Sequence, residues 1–407
     1  MTKVSARVSW SVLDQGLSSL TNFAAALVVA RTLGLDSLGG YAVAFTTFTL
    51  AVELGRALGV EALAIRIGGV DESAGVDGAV SVAALVGVVA AAVAVPAGLV
   101  VGGPVGQALL SMSLFVTFAV VQDALRTSFI AVGRPGRAIV SDGAWVLVQV
   151  LSLVWLLRLR EPSAGAGVAA WGVAAAVAAV FTILLFDVRV RPALALRWLR
   201  THVDLWPGLL GEALLRAGLF QVTILVVAAI VGAAEMGRLR AAQVLFGPAS
   251  MAVLLAPQIG VPEAVRRHTA AGVRRVAVTT AAVLVGLTLA TALVVLVLPD
   301  SLGEAVLAEN WAGAKSLALP VAGMIAASGL VTGGFIGLRA HARVDLTLRL
   351  RAGSSPAVLA AGAGAAQLGG VGPAALAIAG ARVAMGFVTW RLLWFQSRSR
   401  DPVEVRS

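Results

Sequence analysis

Residues 79–101 read AVSVAALVGVVAAAVAVPAGLVV, with one serine and no charged side chain. Runs of this kind, about 20 residues long and matched to a bilayer core of about 30 Å, recur down the whole chain. Their backbone N–H and C=O groups must be satisfied internally, which a helix does. The chain is 59% hydrophobic and 13% charged, against about 25% charged in soluble domains. A soluble protein with a large core is therefore excluded. The expectation is an all-α polytopic membrane protein.

Hydropathy places about 12 transmembrane helices, near 10–30, 40–65, 79–101, 105–125, 138–157, 166–186, 207–232, 241–262, 276–298, 314–337, 353–368 and 373–395. The eleventh, short and rich in Gly and Ala, is the weakest. The basic N-terminal segment MTKVSARVSW leads into a span with no clear small-residue cleavage site before Arg31, so it reads as a retained first span. Basic residues test the topology. With both termini in the cytoplasm, the outer loops hold Arg31, Arg158, Arg160, Arg238, Arg240 and Lys315. Three arginines, Arg56, Arg216 and Arg382, stay inside spans, and every other basic residue falls on the inner side. This alternation supports an even span count. The near-absence of lysine and the abundance of Ala, Gly and Val point to a GC-rich bacterial genome, and so to a bacterial cytoplasmic membrane.

The net charge of +10 is the basic flank pattern of such a membrane protein. No basic run is interleaved with aromatics on a polar domain, which argues against nucleic acid. Cysteine is absent, so disulfides and thiolate metal sites are excluded. His202, His268 and His341 are far apart in predicted cytoplasmic loops beside arginines and are expected to be solvated; no metal site and no cofactor are expected. The longest connection, DVRVRPALALRWLRTHVDLW (187–206), has Trp198 and Trp206 among its arginines, as an in-plane amphipathic helix on the inner leaflet would. It divides the chain into a six-helix lobe over 1–186 and a second over 207–395, with a cytoplasmic tail at 396–407.

The two halves share a local pattern. GLDSLGGYAVAF from Gly34 and GAAEMGRLRAAQ from Gly232 both carry Gly-x4-Gly around an acidic residue, Asp36 or Glu235. Both follow the first span of their half. Two pseudo-symmetric six-helix lobes around a central cavity are a transporter architecture, with the substrate site at the interface of the repeats. The opening of the chain carries Ala30-Arg31-Thr32-Leu33-Gly34, then Gly39 and Tyr41, after a first helix with one polar face. This stretch of about 55 residues resembles the polysaccharide-export branch of the multidrug/oligosaccharidyl-lipid/polysaccharide (MOP) exporter superfamily. The motif marks the fold better than the cargo, because the superfamily also holds drug exporters and flippases of lipid-linked cell-wall precursors.

Charged residues inside the apolar spans are the candidate functional residues. Glu53, Arg56 and Glu61 share one side of span 2, beside the small-xxx-small pair Gly55 and Gly59. Span 7 repeats the device with Glu212, Arg216 and Thr223, and span 12 carries Arg382 with Thr389 two turns on. Span 1 lines up Ser11, Asp14, Ser18, Thr21 and Asn22; span 5 lines up Asp142, Trp145, Gln149 and Ser152. A charge at mid-bilayer costs about 2.5–3.5 kcal/mol on insertion scales, so these stripes are expected to face a shared hydrated cavity. The competing reading is structural. Glu53–Arg56 and Glu212–Arg216 have intrahelical ion-pair spacing, and Asp14, Glu61 and Asp123 lie near predicted helix ends, within reach of water.

Guanidinium groups bind phosphoryl oxygens in a bidentate way. Arg56, Arg216 and Arg382 are therefore the candidates for holding a diphosphate. Asp14, Asn22, Asp142 and Gln149 are the candidates for sugar hydroxyls, and Glu53, Glu212 or Asp142 for a coupling cation. The resemblance implies a lipid-linked saccharide as substrate, flipped from the inner to the outer leaflet, with membrane lipids and a polysaccharide polymerase as candidate partners. The alternative is an ion-coupled drug or small-molecule exporter of the same superfamily. An enzyme is disfavoured: HExxH, GxSxG, P-loop and Asp-x-Asp motifs are absent, and the longest outer loop, about 299–313, is too short for a catalytic domain. Pro248, Pro257, Pro262, Pro320, Gly333 and Gly337 are the candidate hinge points.

Overall fold

The computed structural model describes residues 23–65, 72–215, 219–267, 269–341 and 343–399. They form a helical chain in two compact units, Met1–Gln221 and Val222–Ser407. Seven helices among the described residues are long and apolar enough to cross a membrane, or eight if one bent pair is a single span. The protein is a multi-pass helical membrane protein, as composition required.

In the first unit the helices are α1 (Phe23–Thr32), α2 (Leu35–Gly55), a π turn (Arg56–Val60) and α3 (Glu61–Ile65). They continue with α4 (Glu72–Val101), α5 (Gly103–Ala131), α6 (Pro135–Leu157), α7 (Ala164–Phe186), α8 (Pro192–Thr201) and α9 (Trp206–Ala213). α4 and α5 form a tight hairpin. Its turn, Gly102–Gly103, has φ of 64° and 56°, a region that a side chain disfavours. The hairpin stays close along its length because a β-carbon on Gly87 would strike the Thr117 backbone. α5 also packs on α2, α6 and α7, and so is the central helix of the unit. The expected close approach at Gly55 and Gly59 is present. A β-carbon at Gly59 would lie 2.7 Å from the Ala79 carbonyl oxygen of α4, and one at Gly55 would lie 2.8 Å from Val120 Cγ1 of α5.

α8 is the amphipathic helix of the 187–206 connection, but its tryptophan does not face lipid. Trp198 is buried, with its indole against Gly78 of α4, and Ala195 is buried beside it. Asp77 Oδ1 accepts from the Arg189 backbone N–H at 2.9 Å, and Ser81 Oγ accepts from that of Arg191 at 3.1 Å. His202 is not solvated, contrary to its basic sequence surroundings; it is buried, stacked on Trp198 at 3.9 Å between ring centroids. The two lie four residues apart and so on one helix face, which carries the imidazole inward with the indole. His341 is buried as well, and burial together with the Arg274 guanidinium lowers its pKa. His268 lies outside the described residues. Gly78→Leu is expected to expel Trp198 and release α8, so that trypsin cuts at Arg197 and Arg200 several-fold faster than in the wild type. Unchanged cleavage would contradict the packing.

The second unit is built from most of α10 (Leu219–Val231), then α11 (Ala233–Leu245), α12 (Gly247–Val265), α13 (Ala270–Val297) and the short α14 (Asp300–Leu307) and α15 (Trp311–Ser316). It ends with α16 (Ala318–Ala340), α17 (Val344–Gly369) and α18 (Val371–Ser399). The expected eighth span is broken: α11 and α12 meet at 68°, at Gly247–Pro248, where proline cannot donate the next helical hydrogen bond. α17, weak in sequence, is a helix of 26 residues. α16 is the central helix. Its Gly329 and Gly333 face Leu284, Ala277 and Ala281 of α13, and its Gly334 and Gly337 face Thr389 and Leu393 of α18. Gly333 and Gly337 are thus seats for neighbouring helices, which accounts for them without a hinge. Gly34 and Gly232 each precede a helix, α2 and α11, with Asp36 or Glu235 in its first turn, where the helix dipole favours negative charge.

Candidate functional site

Arg56 opens the π turn of the second span. Such one-turn widenings interrupt a regular helix and recur at functional sites. The guanidinium meets α5 in a fork: Nε donates to Asp123 Oδ2 at 2.7 Å and Nη2 donates to Asp123 Oδ1 at 2.5 Å. Glu53 Oε1, one turn earlier, lies 3.7 Å from Nη1. The intrahelical pair expected from spacing is present, but it is the looser contact. The Arg56 side chain remains 34% exposed, against 19% for Glu53 and 16% for Asp123. α9, which carries half-buried Glu212, packs against this π turn.

One turn further along α5 the charges reverse. Arg126 Nε donates to Asp142 Oδ2 of α6 at 2.8 Å, and Gln122 Nε2 donates to Asp142 Oδ1 at 3.2 Å. Gln122 Nε2 also lies 3.3 Å from Ser141 Oγ. α5 therefore offers a carboxylate to the second span and a guanidinium to the fifth. The candidate Asp142 is held by these two partners. Gln149, two turns along α6, is buried at 1% exposure and donates from Nε2 to the Ala170 carbonyl of α7 at 3.3 Å.

Sequence reasoning passes over Asp123 and Arg126 as site residues, because hydropathy ends the fourth span near 125. The helix runs on to Ala131 and stops at Gly133, whose φ is 76°. The apolar residues Phe129 to Val132, followed by that glycine, carry the signal for the longer helix. Asp123, expected near a helix end and within reach of water, lies inside α5 instead, and Arg126 lies there rather than in a loop.

In the second unit, Arg382 on α18 is half-buried, and its Nη1 donates to Ser328 Oγ of α16. Ser328 in turn donates to the Met324 carbonyl at 2.7 Å, so α16 orients the guanidinium through a hydroxyl. Thr389, expected on the same stripe, is buried against Gly334 and donates to the Met385 carbonyl at 2.7 Å; its place is in the packing. Asp14, Asn22 and Arg216 lie outside the described residues. Among the described residues no group of His, Asp and Glu side chains has the arrangement of a metal site.

No protein-family model matches the chain, and neither does any curated protein. Solved structures do. The lipid II flippase MurJ in its inward closed conformation superposes with a TM-score of 0.72 at 10% identity, over 96% of this chain and 88% of that one. An inward-facing multidrug resistance MATE family transporter of the MOP superfamily gives 0.63 at 12% identity, over 94% of this chain and 96% of that one. A MATE structure in complex with Br-NRF gives 0.52 at 14% identity, over 97% and 96%. At these identities the likeness is one of fold, and it spans nearly the whole chain: the protein has the fold of the MOP superfamily transporters.

Proposed function

We propose that the protein is a transporter that flips a polyprenyl-diphosphate-linked oligosaccharide from the inner to the outer leaflet by alternating access, for surface polysaccharide biosynthesis. The observation that carries this reading is Arg56. Its guanidinium is held at a π turn between two helical segments, yet is still 34% exposed and bound in a two-pronged carboxylate contact. That fork geometry also suits a phosphoryl group. The fold likeness to a lipid II flippase supports the same class of cargo. In this reading Arg56, Arg216 and Arg382 hold the diphosphate. Asp14, Asn22, Asp142 and Gln149 serve the glycan, and Glu53 and Glu212 set the charge around the arginines. The polyprenyl tail stays in lipid. The protein works in the bacterial cytoplasmic membrane with both termini inside, ahead of a polysaccharide polymerase.

The test is a deletion strain. Lipid-linked saccharide should accumulate in the inner leaflet, surface polysaccharide should be lost, and the wild-type chain should restore it. The second reading, an ion-coupled exporter of drugs or small molecules, is favoured by the fold likeness to a multidrug resistance transporter and by the carboxylates Glu53, Asp123 and Asp142 beside the arginines. A drug-susceptibility panel on the same strain separates the two. The flippase reading expects susceptibility to agents other than envelope-active ones to be unchanged. A broad gain in susceptibility with normal polysaccharide would favour the exporter.

A further inference from the structure

The Arg56 fork is already filled. Asp123 contributes both oxygens, at 2.7 and 2.5 Å, from a position 16% exposed. It is fixed there by α5, the helix around which the first unit packs, and its turn is tied down where Thr127 Oγ1 donates to the Asp123 carbonyl at 2.6 Å. A carboxylate in a fork contact resembles a phosphoryl group in two respects: it is anionic, and its pair of oxygens accepts both N–H bonds of the guanidinium. Arg126 lies one turn along the same helix, with its own carboxylate, Asp142, on α6.

We infer that Asp123 is a specificity-determining residue: a built-in competing anion that a ligand must displace from Arg56, which restricts the site to groups bearing more charge than one carboxylate. This rests on the assignment of Arg56 to an anionic ligand. A monoanionic ligand would exchange one singly charged, two-pronged contact for another and gain nothing by it. A diphosphate brings at least two charges and further acceptor oxygens, so the exchange favours it. The displaced carboxylate has Arg126 within one turn of its own helix, at the i,i+3 spacing that lets side chains meet. Unlike the expectation that Arg56 merely binds the substrate, this predicts an affinity gained on removing a protein charge.

The experiment is isothermal titration calorimetry on the full purified chain, with inorganic pyrophosphate and acetate as separate probes. Asp123→Asn keeps the shape of the side chain and removes its charge. It should raise pyrophosphate affinity by about tenfold, the scale of one charge-assisted hydrogen bond, and should let acetate bind measurably, narrowing the preference. Asp123→Glu restores the charge and should restore the wild-type preference, which also controls for a folding defect in the Asn variant. Weaker or unchanged pyrophosphate binding in Asp123→Asn would overturn the inference, because it would make Asp123 a support for Arg56 and not its competitor. The underlying assignment fails separately: in that case Arg56→Ala would bind pyrophosphate as the wild type does.

Discussion

Arg56→Ala is expected to cut translocation of the lipid-linked saccharide by about ten- to hundredfold, the rate equivalent of removing one charge-assisted hydrogen bond. Surface polysaccharide at native expression should fall accordingly. The substitution also leaves Asp123 without the fork that binds it, and an uncompensated half-buried carboxylate lowers stability. Protein abundance must therefore be measured alongside. The double variant Arg56→Ala, Asp123→Ala removes both charges and should recover abundance without recovering transport. Arg56→Lys keeps the charge but loses the planar fork, and so should retain only part of the activity. A double variant that transports normally would show that the pair is structural.

The second large effect concerns packing. Gly59→Leu drives a side chain into the Ala79 carbonyl of α4, which a β-carbon alone would approach to 2.7 Å. The obstacle is backbone, so no rotamer change relieves it, and the π turn that positions Arg56 must shift. Overpacking typically costs about 1–3 kcal/mol, and a backbone clash falls at the upper end. The expected result is a lower melting temperature, a reduced yield of monodisperse protein and loss of transport. Gly143→Leu on α6, where a β-carbon meets nothing within 4 Å, should leave the melting temperature unchanged. Equal stability of the two variants would contradict the close approach.

The fold is largely legible in the sequence because bilayer physics leaves few choices. Among the described residues, apolar length places a helix in each expected span from 40–65 to 373–395, while most of the first, 10–30, lies outside them. The site is legible in part. The spacing of Glu53 and Arg56 reveals a charge inside a span, and Gly55 and Gly59 reveal which face meets a neighbour. The stronger partner, Asp123, is 67 residues away, and hydropathy says nothing about which helix neighbours which. A span boundary near 125 then places Asp123 and Arg126 at a helix end, when the helix continues to Ala131. The histidines mislead for a related reason: His202 sits in a basic segment, and only the docking of Trp198 into the gap at Gly78 shows that its helix face is buried. Arg382 stands out in the sequence, but its orienting partner Ser328 is an ordinary serine that nothing in the sequence distinguishes.

The most direct measurement is translocation by the purified protein in proteoliposomes loaded with a polyprenyl-diphosphate oligosaccharide, read out as the appearance of its sugar to an added lectin on the opposite leaflet. The wild type should expose the sugar at a protein-dependent rate, while Arg56→Ala and Arg382→Ala, reconstituted at equal amounts, should approach the protein-free rate. No translocation by the wild type, or variants as fast as it, would contradict the account.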